Sequence, residues 1–186
     1  FGAGNFEREL EGSLKRLGVE RIDLYQHHYP AGVAIEPLME RMADAVAAGT
    51  IRAIGVSNYS AAQMRPAHAA LAKRGVPLAS NQVEYSLLNR RVERNGVLDA
   101  CRELGVTLIA YTPLASGVLS GKFGTHWPPV GGMRLLTPRF LPWELARAVP
   151  VVALLREIGA RYGKTPSQVA LRWLIENQVV LPIPGA

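Results

Sequence analysis

The chain has 186 residues, 48% of them hydrophobic and 19% charged, a balance that suits a globular protein and excludes an intrinsically disordered one. That length fits one domain, residues 1–186, and lets about 70% of the unfolded surface be buried. A net charge of +6 favours an anionic ligand such as a phosphate or a nucleotide, whereas the scattered basic residues form no aromatic-interleaved stripe and point away from nucleic acid.

The single cysteine, Cys101, excludes an internal disulfide framework and any CxxC zinc or redox site, and reads as a small buried hydrophobe. No apolar run is long enough to span a bilayer, so membrane insertion is not expected. Phe1-Gly2-Ala3-Gly4 has none of the features of a signal peptide. A start in mid-pattern, without Met, predicts a piece of something longer.

Asn5 to Leu17 reads as a helix capped by Asn5, with Leu10, Leu14 and Leu17 on one stripe and Gly18 as its stop. Ile22 to His28 is a strand closed by Tyr29-Pro30, and Pro37 to Ala48 a helix stopped by Gly49. The next strand begins at Ile51 as an apolar run and ends abruptly at Ser57-Asn58. Ser60 and Gln63 then open a helix, Ala61 to Arg74, in the spacing of a capping box. Leu78 to Val83 is a strand, about Val92 to Leu104 a helix, and Val106 to Tyr111 a strand. Thr112 to Trp143, rich in proline and glycine, reads as an extended loop of the kind used for lids. Helices over Glu144–Tyr162 and Pro166–Asn177 follow, the second with Thr165, Pro166 and Gln168 as a start signal. Val179 to Ile183 is the last strand.

Strand ends near Gln26, Val56, Val83 and Ala110 recur at roughly 30 residues, the length of one βα unit. Without hairpin signals the sheet should be parallel. About five strands are too few to close a barrel of about 250 residues. The expectation is the later part of a (β/α)8 TIM barrel, with a complete open sheet as the alternative. In such sheets ligands sit beyond the carboxyl ends of the strands, so Ser57 and Asn58 stand where chemistry belongs. The plain alternative is that Asn58 makes an Asx-turn and Ser57 simply ends the strand.

Five strand ends together carry more. They read Asp23-Leu24-Tyr25-Gln26-His27-His28-Tyr29-Pro30, Gly55-Val56-Ser57-Asn58-Tyr59 and Asn81-Gln82-Val83-Glu84-Tyr85-Ser86. Tyr111-Thr112-Pro113-Leu114-Ala115-Ser116-Gly117-Val118-Leu119-Ser120-Gly121-Lys122 follows, then Pro182-Ile183-Pro184-Gly185-Ala186. In this order and spacing the set resembles the aldo-keto reductase family, nearest the branch of potassium-channel β subunits and their plant and bacterial relatives. The resemblance implies a (β/α)8 barrel that reduces aldehydes and ketones with NADPH and has no Rossmann domain. No GxGxxG follows any strand here.

By that resemblance His28 is the active-site histidine that orients and polarises the substrate carbonyl. Ser57, Asn58 and Gln82 hold the nicotinamide carboxamide, and Tyr111 stacks on the nicotinamide ring. Thr112, Pro113, Leu114, Gly117, Leu119 and Lys122 belong to the loop over the pyrophosphate. Gly185 begins the loop that reaches the adenosine 2′-phosphate; Arg134 is a candidate to touch that phosphate, with a solvated surface charge as the alternative. His27 and His28 point to opposite sides of their strand, so only one can face a barrel interior. Hydride transfer needs the ring held about 3.5 Å from the carbonyl carbon at a fixed angle, and these residue types can set it.

The family's proton donor, a tyrosine helped by a lysine and an aspartate, comes from strands before those matched here and is carried onto no residue of this chain. The chain by itself is therefore expected to be inactive. The alternatives are a cofactor-binding, channel-β-like regulatory subunit and a catalytically inactive remnant. The expected compartment is the cytoplasm, with the plastid stroma as alternative. No metal is expected, and oligomeric state and substrate identity are left open.

Overall fold

The computed structural model describes residues 5–32, 34–123 and 138–185. Its elements are α1 (Phe6–Leu17), β1 (Ile22–His27), α2 (Ile35–Ala47), β2 (Ile51–Ser57), α3 (Ala61–Ala72), β3 (Leu78–Glu84), α4 (Val97–Leu104), β4 (Thr107–Tyr111), α5 (Pro142–Tyr162), α6 (Pro166–Ile175) and β5 (Val180–Ile183). Strand and helix alternate as the sequence predicts, and the chain divides into two compact units. One holds the chain up to Val83 together with Val92–Ile109; the other holds Glu84–Arg91 and the chain from Ala110 onward.

In the first unit β1, β2 and β3 are adjacent and parallel. Gln26 pairs with Gly55 and Gly55 with Ser80; His27 pairs with Val56 and Val56 with Asn81; Ser57 pairs with Gln82. Partners in register share a face, and faces alternate along each strand. Gln26, Gly55, Ser57, Ser80 and Gln82 therefore lie on one side of the sheet, and His27, Ile54, Val56 and Asn81 on the other. A register shift between Ile54 and Gly55 re-aims β3 at this point, as a bulge does. The second side is the dry one. Ile54, Val56 and Asn81 are fully buried there, and Asn81 touches Met64 of α3. Met39 and Met42 of α2, Leu71 of α3 and Cys101 of α4 are likewise buried.

Several local expectations need correction. Asn5 occupies the N-cap of α1 but makes no side-chain cap bond, and Leu17 is exposed, so the buried stripe is shorter than the leucine spacing suggested. α2 starts at Ile35, which puts Pro37 inside the first turn, where its missing N–H costs nothing. α4 starts at Val97, because Asn95 Oδ1 accepts from the Val97 N–H (3.2 Å) and Gly96 takes a left-handed φ of 80°. Arg91–Glu93 before it is a separate 3-10 turn. Ser60 and Gln63 do open α3, with Gln63 Oε1 accepting from the Ser60 N–H at 3.0 Å.

In the second unit the segment after Tyr111, expected to be an extended loop, is folded where it is described. Ala115–Ser120 and Pro138–Phe140 are 3-10 turns, and α5 begins at Pro142. Ala115, Val118, Leu119 and Phe140 form one core with Leu145, Ala148 and Leu155 of α5 and Ala170 of α6. Those few apolar residues, spread among glycines and prolines, anchor the segment without any periodic pattern. α5 carries Pro150 in its interior and ends at Gly163 in the left-handed region. At α6 the Thr165 Oγ1 accepts from the Gln168 N–H (3.3 Å) and Gln168 Oε1 accepts from the Thr165 N–H (2.9 Å), the reciprocal box its sequence announced.

Candidate functional site

The carboxyl ends of β1, β2 and β3 are laced together by side chains. Asn58 sits just past β2 with φ 61°, a conformation that asparagine tolerates better than most residues. Its N–H donates to the Gln82 carbonyl (2.9 Å), which also accepts from Ser57 Oγ (2.9 Å). Asn58 Nδ2 donates to the His28 carbonyl (3.2 Å) and to Ser57 Oγ (3.0 Å). Asn58 thus ties three strand ends together, its side-chain amide reaching His28 beyond β1 and its backbone N–H reaching Gln82 of β3, and does not close a local Asx-turn alone. Ser57, Asn58, Gln82 and the His28 backbone, four of the sequence-derived candidates, meet at one place within this unit.

Beneath them runs a row that the sequence did not single out. Ser80 Oγ donates to Gln26 Oε1 (2.9 Å), and Gln26 Nε2 donates to Gln82 Oε1 (3.0 Å). The row needs Gly55: a Cβ there would stand 2.3 Å from Ser80 Oγ and 2.8 Å from Gln26 Cγ. Every bond in the row donates in the same direction, so its terminal donor is the Gln82 amide nitrogen. The signal was available in the spacing. Gln26 and His28, Gly55 and Ser57, Ser80 and Gln82 are each two apart and hence on the same face.

The two histidines take different roles. His28, just beyond β1, is exposed and lies on the Gln26 side by alternation. His27 is half-buried, with Nδ1 2.8 Å from the Tyr59 hydroxyl and the rings edge to face at 5.9 Å. Burial, and secondarily the charge of His28, hold His27 below its usual 6.5, while burial pushes Tyr59 up to about 12. A neutral imidazole and an un-ionised phenol follow. Tyr59 is held in turn by fully buried Asn81, whose Nδ2 donates to the Tyr59 carbonyl (3.0 Å) and whose Oδ1 accepts from its N–H (3.4 Å). His27 is a packed structural residue.

The second unit carries the remaining candidates. Tyr111 is half-buried, and its carbonyl accepts from the Tyr85 N–H (3.4 Å). Thr112, Ala115 and Ser116 have φ of 52°, 50° and 56°, and Gly117 and Gly121 have 93° and 75°, so left-handed residues coil the backbone into successive tight turns. Ala115 N–H donates to the Thr112 carbonyl (2.9 Å), Gly117 N–H to the Leu114 carbonyl (3.0 Å), and Ser120 Oγ to the Gly117 carbonyl (2.6 Å). A Cβ on Gly117 would meet the Phe123 ring at 3.3 Å. The Leu119 side chain is fully buried and that of Pro113 is buried, so Leu119 can offer a ligand its backbone only. Leu114 packs against the same core. Lys122 is exposed, and nothing lies within 4 Å of a Cβ built on Gly185. Arg134 lies outside the described residues, as does Trp127. Among the described residues no cluster of three or more His, Cys, Asp or Glu could hold a metal ion, and no helix is long and apolar enough to cross a membrane.

Comparison with known proteins gives a consistent answer. The family model described as "Aldo/keto reductase family" matches residues 3–186. An uncharacterized oxidoreductase of Mycobacterium tuberculosis is 45% identical over 94% of this chain and 53% of its own length. The chloroplastic pyridoxal reductase of Arabidopsis thaliana is 37% identical over 98% of this chain and 50% of its own. An aldo-keto reductase of Schizosaccharomyces pombe, named for NADP(+), is 37% identical over 96% and 53%. Among solved structures, the glycerol dehydrogenase of Gluconobacter oxydans superposes with a TM-score of 0.86 at 28% identity, covering 99% of this chain and 55% of that one. The likeness bears out an α/β fold of the (β/α)8 class, and five of its strands lie among the described residues. The chain spans about half the length of the curated relatives it matches.

Proposed function

Because this chain belongs to the aldo/keto reductase family, a family of oxidoreductases, we propose that it serves the reduction of aldehyde and ketone carbonyls to alcohols with NADPH. The observation that carries this is the cluster of Ser57, Asn58 and Gln82 at the ends of β2 and β3. Its partners are all hydrogen-bonding groups, and the row behind it ends in an amide donor. A planar carboxamide asks for such a set, because its oxygen needs donors and its nitrogen acceptors.

When bound, NADPH supplies the hydride. The chain's own residues bind and orient. Ser57, Asn58 and Gln82 take the carboxamide, and the half-buried Tyr111 ring offers a flat face. The left-handed backbone at Thr112, Ala115, Ser116 and Gly117 lets main-chain groups approach a pyrophosphate, as at Gly117, where a Cβ would crowd Phe123. Leu119 supports that loop from below, and Lys122, Arg134 and Gly185 are assigned to the phosphates. His28, pinned through its carbonyl by Asn58, is assigned to the substrate carbonyl. The proton donor is assigned to no residue of this chain. The names of two relatives, one for NADP(+) and one for pyridoxal, support the cofactor and the carbonyl substrate.

The test is a titration of the protein, as encoded in full by its gene, with NADPH followed by cofactor fluorescence. Saturable binding is expected, and Tyr111→Ala should weaken it about tenfold, the equivalent of one lost aromatic stack. No binding by the wild type, or a Tyr111→Ala protein that binds as tightly, would end the proposal.

A further inference from the structure

We propose that Gln26 is a positioning residue for nucleotide recognition: oriented by Ser80 and seated over Gly55, it turns the Gln82 amide so that the –NH2 end is the one presented to a ligand. The inference rests on the proposed function above and deepens it. A glutamine amide has nearly isosteric ends, and without a neighbour its oxygen or its nitrogen could face a nucleotide. Gln26 removes the choice by donating from Nε2 to Gln82 Oε1 at 3.0 Å.

Gln26 is itself held one way round. Ser80 is 2% exposed, and its hydroxyl donates to Gln26 Oε1 at 2.9 Å. Reversing both amides would make Ser80 Oγ the acceptor of the Gln26 –NH2 and take from its buried proton the partner it has at Gln26 Oε1, a cost that favours the direction in which the hydroxyl donates. Gly55 supplies the space, since a Cβ would displace both Ser80 Oγ and the Gln26 stem. A buried hydroxyl thus sets the polarity of a group two hydrogen bonds away, on the side where His28 and Ser57 also lie.

The decisive variant is Gln26→Glu. A carboxylate accepts from both Ser80 and Gln82, which turns the Gln82 oxygen outward and presents an acceptor where a donor stood. Gln26→Leu, which removes the row without adding a charge, is the second variant. Both are measured in the protein as its gene encodes it, by titration with NADPH and with adenosine 2′,5′-bisphosphate, which lacks the nicotinamide end. Gln26→Glu should weaken NADPH about tenfold, the value of one hydrogen bond turned from favourable to opposed, and Gln26→Leu by less. Both should bind adenosine 2′,5′-bisphosphate within about twofold of wild type. Equal weakening of both ligands, or NADPH binding unchanged in either variant, overturns the role of Gln26. If the Glu variant does not fold, the Leu variant decides alone. Wild-type protein that binds neither probe overturns the proposed function itself, a different result from either of these.

Discussion

Removing the Asn81 side chain should cost more than its small size suggests. Its amide is fully buried and stands in for a missing strand partner, serving both the carbonyl (3.0 Å) and the N–H (3.4 Å) of Tyr59. Asn81→Ala strands both backbone groups where water does not reach. The 3.0 Å bond is of full strength, and losing it leaves a buried carbonyl unsatisfied at about 1–3 kcal/mol. The 3.4 Å bond is long and contributes about half as much. The lost contact with Met64 adds a little, so the total is about 2–4 kcal/mol. In urea unfolding the midpoint should fall with the slope unchanged, and thermal unfolding should drop by roughly 5–15 °C for a chain of this size. Asn81→Asp should lose at least as much near neutrality, because a carboxylate oxygen would face the Tyr59 carbonyl. It should recover part of the loss in acid, where a protonated carboxyl can donate again. A loss below about 1 kcal/mol for Asn81→Ala, with an unchanged slope, would refute the reasoning.

His27 gives a pH dependence with a definite sign. Its folded pKa lies below 6.5 through burial and then the charge of His28, so the unfolded chain binds more protons between that value and 6.5. The contribution is complete above about 6.5 and is lost as pH falls through the folded pKa. Urea midpoints across that window should show a slope that His27→Gln flattens; equal slopes would rule it out. Gly159→Ala inverts the usual rule for helices: alanine normally gains up to about 1 kcal/mol, but a Cβ here would sit 2.2 Å from the Lys164 carbonyl oxygen. Calorimetry should show a loss of about 1–3 kcal/mol, and a gain would contradict the packing. Leu119→Ala, at a fully buried position, should cost about 2–5 kcal/mol by chemical unfolding, whereas Lys122→Ala on the surface should stay within about 0.5 kcal/mol; comparable losses would refute the split between core and surface in this loop.

The alternation of strands and helices, the parallel sheet and the family were legible because each rests on a local pattern: apolar runs, glycine stops, and motifs at strand ends. The start of α4 was misplaced because an apolar period runs through Asn95-Gly96, while the hydrogen bond that starts the helix depends on one side-chain oxygen. The turns after Tyr111 were hidden for a different reason. Their anchors are the adjacent pair Val118 and Leu119 and the distant Phe140, which together show no period. At the candidate site, Ser57, Asn58 and Gln82 were found as motif members, but Gln26, Ser80 and Gly55 were not. Their meaning lies in the register of three strands, and a one-residue bulge beside Gly55 is not written in any single segment.

Pro150 in the interior of α5 has a consequence for how that helix breathes. It brings no amide hydrogen for the Ala146 carbonyl, and Pro142 brings none at the helix start, so the turns between the two prolines are joined to the rest by one bond fewer. In deuterium these amides should exchange as a group of their own and ahead of the residues after Val151, which divides one continuous helix into two clocks.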